Sequence, residues 1–303
     1  MKYIDCTFCG KDNKEYLHPE IADAGSLHGY NYVYCSACRI AYLNPLPEPS
    51  ELDDYYSGFV SEDCLSAEEL ARFKLDSLKR RMINRMGIEK GGAVLDIGCG
   101  KGETVYCLAR EGYNIAGLEP FSSRPFADED LNRRIIRKQL AEAAFPDGNF
   151  SMVLLWSVLE HIADPLPLLK EISRITRPGG YFMLSVPNLN TVQHSLMKMF
   201  WPGFGPPAHV FVYTIKGIQK ILGSMGFRLF KNFRDPIHDQ WMLKQSIYLR
   251  FMDGEKFKFG IHASKEYSKA QRSLFGIYSF LVVRSEMLVG KSATANLVFR
   301  KEL

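Results

Sequence analysis

From Gly92 onward the chain sorts its apolar residues into short runs bounded by turn residues, separated by stretches with helical period. Residues 93–97 read as a strand, 104–111 as a helix, and 113–118 as a second strand. Short strands follow at 134–138 and 151–156. A helix over 165–176 stops ahead of Pro178-Gly179-Gly180, and 181–186 is again a strand. A helix over 215–225, a strand over 227–233 and a last strand over 295–300 complete the pattern. Alternation of this kind predicts an α/β chain built on a doubly wound, mostly parallel sheet with helices on both faces.

The first 90 residues follow a different pattern. Residues 1–44 are rich in cysteine and tyrosine, and Pro45, Pro47 and Pro49 then form a stiff connector. A helix begins at 50–56, with Ser50 as N-cap and Asp53 in its first turn. Residues 66–86 read as one strong helix. The predicted organisation is a module at 1–44, a helical linker or cap at 45–90, and an α/β domain at 91–303 with a helical insertion at about 242–290. The apolar stretch 274–289 contains Arg284 and Glu286 and falls short of the ~20 residues that a spanning helix needs. It reads as a packed helix, with an interfacial membrane helix as the lesser alternative.

Charge changes this picture little. The 38 Lys and Arg residues nearly balance 34 Asp and Glu, which does not by itself imply nucleic acid. The excess lies from Lys231 to the end, where 13 basic residues meet 7 acidic ones. A solvated basic face is the simpler reading of that segment, and peripheral contact with an anionic membrane surface is the other. The N-terminus has no apolar signal core, so a cytoplasmic location is expected.

Four of the seven cysteines form two C-x2-C pairs, Cys6/Cys9 and Cys35/Cys38, separated by 25 residues. Two such knuckles supply four thiolates for tetrahedral Zn(II). With all four positions used, the zinc is structural and folds a segment too small to hold itself together. An iron–sulfur centre and reduced free thiols are the alternatives.

The sharpest local signal is Val94-Leu95-Asp96-Ile97-Gly98-Cys99-Gly100-Lys101-Gly102, an apolar strand that runs into G-x-G-x-G and then a helix. Gly98, Gly100 and Gly102 let the backbone turn tightly and approach a ligand. A dinucleotide site shows G-x-G-x-x-G instead. Asp96, just before the first glycine, would repel a pyrophosphate and suits an amine-bearing ligand such as the methionine part of S-adenosylmethionine. Glu119 ends the second strand about twenty residues on, where a carboxylate accepts hydrogen bonds from both ribose hydroxyls.

These motifs carry a resemblance. Residues 92–233 look like the class I methyltransferase fold, a Rossmann-like sheet, in its small-molecule branch. Glu119-Pro120-Phe121-Ser122 is similar to the family's E-P-S, and Phe145-Pro146-Asp147-Gly148-Asn149-Phe150-Ser151 to its P-D-G-x-F-D turn. Leu159-Glu160-His161 resembles its L-E-H motif, and Arg174-Ile175-Thr176-Arg177-Pro178-Gly179-Gly180 its R-x-L-K-P-G-G. Val186-Pro187-Asn188 and Pro207-Ala208-His209-Val210-Phe211 also fit. The resemblance implies S-adenosyl-L-methionine as cofactor, held by Asp96, the three glycines, Glu119, Gln139, Leu140 and Trp156. The family often has Asp near position 139 for the adenine amino group. Gln139 departs from that, though its side-chain carbonyl can accept the same bond. The segment 34–47 resembles the zinc-binding N-terminus of methyltransferases of glycan and antibiotic-sugar pathways.

Methyl transfer asks the protein to orient an acceptor and, for an alcohol or acidic C–H, to remove a proton. A neutral histidine suits that task. His161, beside Glu160 and just past the fourth strand, is the first candidate, since a histidine at this motif is the proposed base of the deoxysugar C-methyltransferases that the chain resembles. A helix-capping or cofactor-touching role is the alternative. His209 is the second, and the aromatic, Gly/Pro-rich loop Trp201 to Pro207 ahead of it reads as a mobile cover. His194, His238 and His262 lack metal or triad spacing. Tyr55 and Tyr56 read as half-buried tyrosines. The expected acceptor is a small molecule: a sugar, nucleotide-sugar or glycan. Ribosomal RNA methylation and an inactive binding scaffold are the alternatives. The mixed charge of residues 1–44 disfavours RNA. The sequence does not fix the oligomeric state.

Overall fold

The computed structural model describes residues 2–13, 15–18, 30–48, 50–52, 66–72, 74–121, 128–251 and 269–303. The chain divides into two compact units. One comprises 1–52, 186–218 and 234–295. The other comprises 53–185, 219–233 and 296–303. These units cut across the boundaries drawn from the sequence, because the cysteine-rich segment clusters with later parts of the chain.

The second unit is built on a seven-stranded sheet. Its strands are β3 (Ala93–Ile97), β4 (Asn114–Leu118), β5 (Ile135–Ile136), β6 (Phe150–Trp156), β7 (Thr176–Pro187), β9 (Phe227–Phe233) and β10 (Thr294–Lys301). Their order is β5-β4-β3-β6-β7-β10-β9. The pairs β3–β4, β3–β6, β4–β5 and β6–β7 are parallel, while β9–β10 is antiparallel. The chain winds outward from β3 in one direction and then, from β6, in the other. The expected doubly wound sheet is therefore present, and its switch point lies between β3 and β6. Strands buried on both faces read as continuous apolar runs, and Met152, Val153, Leu154 and Leu155 of β6 are fully buried.

The expected helix over 66–86 is two helices, α1 (Ala67–Ala71) and α2 (Ser77–Met86). Ser66 and Glu69 form a reciprocal capping box at the first. The Asp76 carboxylate accepts the Leu78 and Lys79 amides at 2.9 and 3.0 Å, which starts the second. Two strong N-caps ten residues apart override one amphipathic period. Helices α3 (Glu103–Arg110), α4 (Glu129–Arg134) and α5 (Pro165–Ile175) cover the sheet. Arg134, expected in a strand, closes α4, and only Ile135 and Ile136 pair with β4. The turn residues Pro178 to Gly180 fall within β7, where a register shift against β6 absorbs them.

The first unit contains a three-stranded sheet that periodicity did not predict: β1 (Tyr32–Cys35), β2 (Ile40–Leu43) and β8 (Phe211–Tyr213), in that order and antiparallel throughout. It also contains α6 (Val192–Met197), the start of α7 (Ile215–Gly223), and two long helices, α8 (Pro236–Phe251) and α9 (Lys269–Leu288). The last two make up the described part of the expected insertion. The helix expected at 50–56 is seen only as far as 52, and Tyr55, Tyr56 and His262 lie outside the described residues.

The Trp201 to Pro207 segment is not a mobile cover. Trp201 and Phe204 are fully buried, with their rings 5.5 Å apart and perpendicular, and His194 lies 5.1 Å from Phe204. Apolar rings with no water-facing side become core, whatever their glycine and proline content suggests. A Cβ at Gly203 would fall within 2.0 Å of the Trp201 ring. Gly203→Ala is therefore expected to destabilise the protein by about 2 kcal/mol or more, measured by urea unfolding, because the enclosed ring cannot retreat.

Candidate functional site

The carboxyl ends of β3, β4 and β6 form the edge of the sheet where ligands bind in this architecture. The parallel registers Ile97↔Leu118 and Ile97↔Leu155 bring the loops after these strands to one place. In the first loop, Gly98, Gly100 and Gly102 all have positive φ, at 69°, 55° and 75°. Two are also sterically required. A Cβ at Gly98 would meet Val158 at 2.5 Å, and one at Gly102 would meet Ile135 at 2.7 Å. A Cβ at Gly100 would meet nothing within 4 Å, so the crest of the loop is open.

The loop is tied to β4. The Gly98 and Cys99 amides donate to the Leu118 carbonyl at 2.8 and 3.1 Å. The Glu119 carboxylate accepts the Gly100 amide at 2.8 Å and the Phe121 amide at 3.3 Å. Glu119 thus stands half-buried beside the open crest.

Asp96 is 3% exposed. Burial pushes its carboxyl up to about 6, against the opposing pull of the Lys79 ammonium and the Thr104 hydroxyl. Lys79 donates to Thr104 Oγ1 at 3.1 Å and lies 4.9 Å over the Trp156 ring. Lys79 and Thr104 were not singled out in the sequence. Lys79 sits three residues after an N-cap on a charged helix, which is the pattern of an ordinary solvated lysine. Trp156 is half-buried at the end of β6. Leu140 is buried at the start of a 3-10 turn, and Gln139 is exposed, its amide bound to Glu142 at 3.0 Å.

Beyond β6 a 3-10 turn, Leu159–His161, carries the acid and the first histidine. Glu160 is 2% exposed, and its Oε2 has no hydrogen-bond partner among the described residues. Burial pushes this carboxyl up to about 8, so at neutral pH it is mostly protonated. His161 is half-buried. His209 belongs to the other unit. It is buried there, with Nδ1 3.0 Å from the Gly203 carbonyl and its own carbonyl accepting from the Tyr32 hydroxyl at 2.5 Å. A carbonyl can only accept, so Nδ1 carries the proton and a neutral ring keeps its lone pair on Nε2.

The four paired cysteines converge in the first unit. The sulfurs of Cys6, Cys9, Cys35 and Cys38 all lie within 4.8 Å of one another as free thiols, with Cys9 and Cys35 sharing a hydrogen bond at 3.6 Å. A tetrahedral zinc with Zn–S bonds of about 2.3 Å sets its sulfurs about 3.8 Å apart, so the donor set fits that ion. The hairpin of β1 and β2 presents one pair, with Arg39 at positive φ closing the turn. The Thr214 hydroxyl braces that turn through the Arg39 carbonyl at 2.8 Å.

A methyltransferase-domain family model matches residues 69–232, more than half of the chain. The chain belongs to the methyltransferase-domain family. The matched span contains both carboxylates, the glycine loop and the turn at Leu159–His161. A ubiquinone biosynthesis O-methyltransferase of Pseudomonas aeruginosa is 34% identical over 110 residues, which are 33% of this chain and 46% of that protein. The Rhizobium rhizogenes protein of the same name is 27% identical over 183 residues, covering 54% of this chain and 72% of that one. The chain thus spans about half the length of the first of these relatives. Among solved structures, a 1,6-didemethyltoxoflavin-N1-methyltransferase from Burkholderia thailandensis aligns with a TM-score of 0.48 at 16% identity, over 90% of this chain and 96% of that one.

The raised carboxyls set a pH dependence for the methyltransferase domain. A group whose folded value is raised binds its proton more tightly in the native state. Stability is then fully present below the unfolded value and lost as pH climbs through the folded one. Stability should fall between pH 4.5 and about 8 through Glu160, and between 3.8 and about 6 through Asp96. Glu160→Gln should remove its part of the fall, on the order of a few kcal/mol, so that the variant gains on the wild type as pH rises. Thermal melts from pH 5 to 8.5 check this. Parallel wild-type and variant curves would contradict it.

Proposed function

We propose that this chain transfers the methyl group of S-adenosyl-L-methionine to a small-molecule acceptor. The observation that carries the reading is the pair of carboxylates at the glycine loop. Glu119 stands at the open crest, and Asp96 lies buried one strand residue ahead of Gly98. A pyrophosphate would meet two negative charges here, whereas a ribose diol and an α-amino group meet two acceptors. The cofactor, when bound, supplies the electrophilic methyl on its sulfonium.

The chain's own residues do the rest. Glu119 takes the ribose, the backbone of 98–102 passes close beneath the ligand, and Asp96 serves its amino-acid end. Leu140 and Trp156 flank the adenosyl group, with Gln139 near the adenine edge. His161 is the proposed base for the acceptor's proton, and Glu160, kept mostly protonated by burial beside it on the same turn, is a further catalytic candidate. His209, in the first unit, is the second candidate. The relatives named for ubiquinone O-methylation support a small-molecule acceptor. The likeness of residues 34–47 to the zinc-binding N-terminus of glycan and antibiotic-sugar methyltransferases supports a sugar, nucleotide-sugar or glycan. Four clustered thiols suit a structural Zn(II) and a reducing, cytoplasmic compartment.

Calorimetric titration with S-adenosylhomocysteine tests the cofactor. Micromolar binding is expected, weakened about ten-fold or more by Glu119→Ala and by Asp96→Asn. No binding by cooperatively folded wild type would end the reading. Elemental analysis tests the metal. About one zinc per chain is expected, lost in Cys35→Ser together with several degrees of melting temperature. A metal-free wild type of unchanged stability would contradict it.

A further inference from the structure

Helices α8 and α9 of the first unit each bury a carboxylate, and each leaves large apolar side chains exposed, although α8 also buries Met242, Leu243 and Ile247. On α9, Ser279 and Glu286 are fully buried and Val283 nearly so. Glu286 accepts the Val192 and Gln193 amides at 2.8 and 3.0 Å and the Gln193 side-chain amide at 2.9 Å. On α8, Asp239 is 1% exposed and accepts the Ser292 hydroxyl at 2.7 Å. The same two helices turn large apolar side chains outward. On α9, Leu274, Ile277, Tyr278, Leu281 and Leu288 are exposed, and at about 100° per residue they share less than a third of the circumference. On α8, Ile237 and Trp241, one turn apart, are 80% and 51% exposed. Single exposed apolar residues are ordinary, but an aligned stripe of them marks an interaction surface.

Charge says what fits that surface. Asp239 and Glu286 are the only acids in the two helices, and both are inside. Arg250 and Arg284 are exposed, and Lys244 is partly so. At the end of α9, Lys291 follows, and the exposed Arg234 donates to the Met287 carbonyl at 2.9 Å. The outward face of the pair is thus apolar and cationic, with no carboxylate of its own. A second copy set face to face against it would bring cations to cations. An anionic lipid surface pairs the cations and takes up the aliphatic stripe, and tryptophan and tyrosine belong at such a boundary. We propose that the outward face of α8 and α9 docks peripherally on an anionic lipid bilayer. None of the described helices is long and apolar enough to cross a membrane, so the contact is interfacial.

Flotation of the full chain with phosphatidylglycerol-containing vesicles, and with pure phosphatidylcholine vesicles, tests this without reference to catalysis. The chain is expected to float with the anionic vesicles and not with the zwitterionic ones. The double substitution Ile277→Glu and Leu281→Glu, at solvent-facing positions, should cut the bound fraction about ten-fold or more. Arg284→Glu with Lys291→Glu should also lower it, and both variants should keep the wild-type circular dichroism and melting temperature. Failure of the wild type to float with anionic vesicles would overturn the proposal, as would equal flotation of the Ile277/Leu281 variant. A dimer in light scattering that this variant dissociates would assign the face to a second copy, and so would overturn it as well.

Discussion

The site depends on one steric constraint: the turn after β3 must pass beneath the loop after β6 and beside β5 with no side chain at positions 98 and 102. Gly98 has Val158 at the place where a Cβ would sit, and Gly102 has Ile135. Both also take positive φ, which glycine adopts without strain. The amides of 98 and 99 can then bond the Leu118 carbonyl, and Gly100 can reach the Glu119 carboxylate. Any larger residue at 98 or 102 would push the loop off the sheet edge and separate Glu119 from the crest. Asp96 lies at the same place because it is the penultimate residue of β3. A shift of one residue in the strand would send its side chain to the other face.

Most of the sheet could be read from the sequence because parallel, doubly covered strands leave an unbroken apolar run, and their turns carry glycine and proline. Strand β9 matched its prediction end to end, and β3 did also. Of the candidate site, the sequence marks the residues that sit on these strands or directly after them, and the fold brings Asp96, the three glycines, Glu119 and Trp156 to one edge of the sheet. The site was not legible where a partner comes from a distant helix. Lys79 reaches Thr104 and Trp156 from α2, and nothing in its neighbourhood sets it apart from a solvated lysine. The break at Asp76 was missed because amphipathic period and capping chemistry compete, and local hydrogen bonding to two amides won.

The first unit was harder to read, for a different reason. Its strands are four residues or fewer, too short for alternation to register. Its glycine- and proline-rich segment at 201–207 is core, since the aromatic rings decide burial. Its two long helices each bury a carboxylate in a hydrogen-bond network, and α9 exposes Leu274, Leu281 and Leu288, so polarity alone misplaces the buried face. Burying Glu286 is tolerable because three donors meet it, two of them the amides at the start of α6.

The proposed function requires that the carboxylate pair at the glycine loop receive an adenosyl amino acid. A crystal structure of the full chain with S-adenosylhomocysteine tests it most directly. The ribose hydroxyls are expected on Glu119 and the amino-acid end at the loop that begins at Gly98, with Asp96 on that side. A ligand bound elsewhere, or one in the loop whose ribose does not reach Glu119, would contradict it.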